Sequence, residues 1–129
     1  MLRRLTEREP AFGWAWFDLG KLAREAKDLD EAERAFAAAA EAAPEYEHAG
    51  YFAAHAARVA GARGDDAALG RHAARAVELD PDVGRAQKEA ARRLLAEGED
   101  REAAREAAEL AAAVMPRDLE VMDLARKLR

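Results

Sequence analysis

The chain has neither cysteine nor serine. Without cysteine there is no disulfide, no zinc–thiolate centre and no thiol nucleophile. Without serine there is no serine nucleophile, and Thr6 is the only residue of its kind. Valine, isoleucine and threonine are few and strict alternation is missing, which argues against strands. No apolar run approaches the roughly 18 residues of a membrane span. Met1-Leu2-Arg3-Arg4-Leu5 has no apolar stretch after its charges, so it does not read as a signal peptide, and a cytoplasmic location is expected. His48, His55 and His72 are scattered, with no HExxH motif and no glycine-rich phosphate loop. No metal, cofactor or catalytic residue is therefore expected, and the chain does not read as an enzyme.

What is present favours helix. Half of the 129 residues are apolar, and alanine supplies much of that half. Alanine is the best helix former but buries little area. The expected class is all-α. Arginine far outnumbers lysine, a composition that points to a GC-rich bacterial source. A net charge of −5 disfavours nonspecific nucleic-acid binding.

Proline is scarce too, and its placement is informative. Pro10, Pro44, Pro81 and Pro116 stand 34, 37 and 35 residues apart. Proline stops a helix because it lacks an N–H and clashes with the preceding turn. Near-equal stops predict a repeated two-helix unit and hence a solenoid. In the first unit Trp16, Leu19, Gly20 and Ala23 share one helical face. Asp28, with Glu31 three residues on, starts a second helix carrying Ala32, Phe36 and Ala39.

The stretch WFDLGKLAREAKDLDEAERAFAAAAEAAP, from Trp16 to Pro44, resembles a tetratricopeptide (TPR) repeat. Trp16, Leu19, Gly20, Ala32, Phe36, Ala39 and Pro44 match that pattern, while Ala23 replaces the usual aromatic. Two weaker units follow. Gly64-Asp65, Ala76 and Pro81 mark the second; Leu94, Gly98, Ala103, Ala107 and Leu110 mark the third, where Gln87 takes the tryptophan place. The resemblance implies a single TPR-like superhelix of three antiparallel pairs. Residues 1–10 form an N-terminal half-helix, 11–44, 45–81 and 82–116 the repeats, and 117–129 a capping helix begun by Asp118. Trp16 is expected in the core against Gly20, Ala32 and Phe36. The first helix of the second unit offers only Ala53, Ala56, Ala57 and Ala60, so that unit is expected to be the least stable. The spacing of Leu2 and Leu5 before Pro10 matches that of Phe36 and Ala39 before Pro44, as if a preceding repeat ended there.

In TPR superhelices the first helices line a concave groove. The resemblance therefore implies a ligand-facing stripe of Trp14, Phe17, Lys21 and Arg24, then Tyr51 and Arg58, then Arg85, Lys88 and Arg92. That stripe is basic, with aromatics at one end. The acids, including Glu102 and Glu106, fall on second helices and turns, an outer wall in this frame. A basic groove attracts anionic segments, and arginine binds carboxylates bidentately. The expected function is a scaffold or adaptor for an extended acidic peptide. Alternatives are an assembly or secretion chaperone, a regulatory module of a larger protein, and RNA binding in the groove. The two-carboxylate clamp of some TPR proteins does not fit: Phe17, Lys21, His55, Arg85 and Glu89 stand at its places, and only Arg85 matches chemically.

Overall fold

The computed structural model describes residues 10–129, which form seven α-helices and no strand. They are α1 Pro10–Glu25, α2 Leu29–Ala42, α3 Ala49–Ala62, α4 Asp66–Leu79, α5 Val83–Glu97, α6 Arg101–Val114 and α7 Leu119–Lys127. The half-helix expected before Pro10 lies outside the described residues. Among those described, no helix is long and apolar enough to cross a membrane.

Local chemistry sets the boundaries. Pro44, Pro81 and Pro116 follow the ends of α2, α4 and α6. Pro10 differs: it opens α1, where the first-turn N–H has no helical partner to lose. Asp28, Asp65, Asp100 and Asp118 each cap a helix, their side chains accepting the backbone N–H three residues on. Each cap satisfies one of the first-turn N–H groups that has no partner within the helix. The turns inside the pairs use a left-handed residue: Lys27 at φ 66°, Gly64 at 84° and Gly98 at 71°. Lysine is the costly choice of the three, because its Cβ crowds the carbonyl in that conformation.

Neighbouring helices pack in pairs: α1 with α2, α3 with α4, α5 with α6. The first two pairs stack through α2 against α3. Ion pairs tie this junction. Glu33 accepts from Arg63 Nε at 3.0 Å and lies 2.9 Å from His72 Nε2, and Arg75 donates to Glu41 at 2.7 Å. Burial alone would raise the Glu33 carboxyl, but Arg63 and His72 hold it below its ordinary range. The second junction is built differently. α4 barely touches α5; α6 instead runs along α3. The third pair thus joins the stack through its second helix.

The main core centres on Phe17, Phe36 and Phe52, with Val59, Val83 and Leu110 around them. Ala91, Ala104, Ala107, Ala108, Leu124 and Leu128 make a smaller one. Two sequence expectations change here. Trp16 is not core: it remains 39% exposed, beside Phe12, Ala38 and Ala42, while Phe17 is 5% exposed. The inward face of α1 is Gly13, Phe17 and Gly20, at helical spacing. A Cβ on Gly20 would lie 2.6 Å from the Phe36 ring, so glycine is what lets the two helices close around Phe17. Second, α3 is the most enclosed helix, with every residue from 52 to 60 buried. Its alanines let α2, α4 and α6 all come close, so small side chains gain neighbours that large ones would hold off.

Candidate functional site

α1 and α3 start side by side and bring six of the nine stripe residues together. At one end, Trp14 donates its indole N–H to the Tyr46 hydroxyl at 2.9 Å and stands edge-on to Phe52, 4.9 Å between centroids. Trp14, His48, Tyr51 and Gln87 line an open pocket there. Tyr51 is partly buried, and burial, with the charge of Glu106 nearby, pushes its phenol up to about 12. Phe17 faces the core, so it supports the groove floor and offers it little surface; Lys21 Nζ lies 5.8 Å from its ring centroid. At the other end, Lys21, Arg24 and Lys27 of the first pair face Glu102 and Glu106 of α6 across a cleft of about 680 Å³.

Arg85, Lys88 and Arg92 are not part of this groove. The groove side of α5 presents Gln87, Ala90 and Leu94. The three bases lie on the opposite side of that helix. Lys88 bonds Asp118 at 3.0 Å, Arg92 pairs with Glu89 at 3.1 Å and with Glu120 at 3.8 Å, and Arg85 pairs with Asp82. Lys88 and Arg92 thus bind α5 to the start of α7.

Between the two ends sits a polar cluster that sequence reasoning did not assemble. His55 is 1% exposed, with its ring against Phe17, Phe36 and Tyr51 at 4.6 to 5.0 Å between centroids. Its nearest acid, Glu106, stands 3.7 Å from Nε2. Burial, then the positive charges of Arg58, Arg24 and Lys21, hold its pKa well below the ordinary imidazole value, so it is neutral at pH 7. Arg58 is 9% exposed, with Nη1 3.4 Å from Glu109 and 3.9 Å from Glu106. Neither His55 ring nitrogen nor either Arg58 terminal nitrogen has a hydrogen-bond partner among the described residues. Burial and the neighbouring Arg24 lower the pKa of Arg58.

Glu102, Glu106 and Glu109 were missed as groove residues because the repeat frame places second helices on the outer wall. A signal was present: Glu106 and Glu109 flank Ala107 and Leu110, the apolar stripe of α6, and so sit at the edge of whatever that stripe packs on. The groove is therefore mixed in sign, with aromatics at one end, bases along α1 and acids along α6. No family model matches the chain, and no curated protein matches it.

Proposed function

We propose that the chain is a peptide-binding module of the TPR type, a scaffold or adaptor that holds an extended acidic segment in the groove of α1 and α3. The stacked first two pairs and their like turns support the superhelical reading. One observation carries the binding reading: an open aromatic pocket at Trp14 and Tyr51 runs, past Tyr51 and Glu106, toward a cleft where Lys21, Arg24 and Lys27 face Glu102 and Glu106. Seven residues of helix separate Trp14 from Lys21, about 10 Å at 1.5 Å per residue. An extended chain covers that in about three residues. The preferred ligand thus carries an apolar side chain about three positions from an Asp or Glu. Aromatic anchors supply affinity at such surfaces, and charge supplies orientation and on-rate.

Fluorescence anisotropy with short labelled peptides tests this. A peptide with phenylalanine three residues from paired glutamates binds; the same peptide with lysines does not. Lys21→Glu with Arg24→Glu weakens binding about tenfold or more, and added salt weakens it in the wild type, because exposed charges are screened over about 8 Å at physiological ionic strength. Equal binding of acidic and basic peptides, or indifference to the double reversal, contradicts the proposal.

A further inference from the structure

Arg58 is the only charged residue of α3, and it is buried with no hydrogen-bond partner for its terminal nitrogens among the described residues. Two carboxylates of the same chain lie beside it, Glu106 of α6 at 3.9 Å and Glu109 at 3.4 Å, and neither makes a hydrogen bond to its terminal nitrogens; Glu109 accepts instead from Arg105 Nε at 3.4 Å. A carboxylate that meets guanidinium squarely sits at about 2.7–2.9 Å and makes two parallel bonds. We propose that Glu106 and Glu109 are an internal stand-in for the acidic partner, covering Arg58 until a partner carboxylate displaces them. The inference rests on the reading that this groove takes acidic segments.

Three features make the exchange physically reasonable. The unmet donors of Arg58 give an incoming carboxylate hydrogen bonds that the internal glutamates do not make. The cleft between α1 and α6 has Glu106 on its wall, so that side chain can swing into open space. Leu110, one residue after Glu109, is buried in the main core and keeps α6 seated while the glutamates move. The exchange is thus of side chains on a fixed helix. Lys21 and Arg24, on the facing helix, supply the field that draws the partner in.

A short fluorescein-labelled glutamate homopeptide is the probe, read by anisotropy on the full chain at low salt, with circular dichroism confirming helix content. The Glu106→Gln, Glu109→Gln variant binds it about tenfold tighter than wild type, since hydrogen bonds to a charged group are no longer contested. The Glu97→Gln, Glu99→Gln variant makes the same change in net charge on exposed residues away from Arg58 and gains less than about twofold, the scale of exposed charges. Adding Arg58→Gln to the first variant removes the gain, and adding Arg58→Lys keeps part of it. An equal gain from both glutamate pairs, or a gain that survives Arg58→Gln, overturns the stand-in while leaving acidic binding intact. Failure of every variant to bind the probe overturns the groove reading itself, and the stand-in with it.

Discussion

α1 and α3 open adjacent pairs, yet their composition and their burial run in opposite directions. α1 carries Phe12, Trp14, Trp16, Leu19 and Leu22, and all five are exposed. α3 is built mainly from alanine and is closed on nearly every side. The difference lies in position in the stack. Among the described residues, α1 contacts chiefly its own partner α2, whereas α3 is gripped by α2, α4 and α6. In a stack of helix pairs, stability arises at the interfaces between neighbours, and an alanine that touches three helices is worth more than a tryptophan that touches one. The larger apolar side chains of α1 thus stay exposed, and one phenylalanine, Phe17, anchors the helix.

The comparison can be broken by moving size from one residue to another. The largest effect is expected for Phe17→Ala, a loss of about 3–5 kcal/mol in denaturant unfolding, the range for a fully buried aromatic. Ala56→Leu comes next. Ala56 is completely buried, and three added heavy atoms have no space, so a loss of about 1–3 kcal/mol is expected from overpacking. If Ala56→Leu were stabilising, α3 would be loosely held and the comparison would fail. His55 sharpens the same point through pH. Its pKa is lowered on folding by burial, so the unfolded chain binds the extra proton, and stability falls as pH drops below about 6.5. The slope from this residue alone is about 1.4 kcal/mol per pH unit until its folded pKa is reached. His55→Phe should flatten the profile between pH 6.5 and 5, above the range where the paired carboxylates Glu33 and Glu41 begin to protonate; an unchanged slope would place His55 in water. The smallest effect is expected for Trp16→Ala, about 1 kcal/mol, since much of the ring is already in solvent.

Much of the helical layout was legible in the sequence. Proline spacing, aspartate caps and Gly64 mark the ends of most helices, because these residues act through local backbone chemistry and need no tertiary partner. The pairing of α1 with α2 was legible in Gly20 and Phe36, which do meet. The placement of Trp16 was not, because the repeat pattern assigns the inward role to tryptophan, whereas here Gly13 and Gly20 bracket Phe17. The enclosure of α3 had a visible sign: a single charge, Arg58, in fourteen residues. Reading its alanines one at a time for area hid that sign. The groove was half legible. Trp14, Lys21, Arg24 and Tyr51 come together as local spacing on parallel first helices suggests, but Arg85, Lys88 and Arg92 depend on how the third pair joins. That join runs through α6 and α3, a choice set by long-range packing of Leu110 and by Glu106 and Glu109 near Arg58, and no local pattern encodes it.

Native-state hydrogen exchange, resolved by residue, tests the central claim most directly: that burial in this chain follows position in the stack and not side-chain size. Amides open locally with free energies that track how enclosed each helix is. The account predicts slower exchange for residues 52–60 of α3 than for residues 14–24 of α1, despite the tryptophans of the latter. Equal protection in the two helices, or slower exchange in α1, would contradict it.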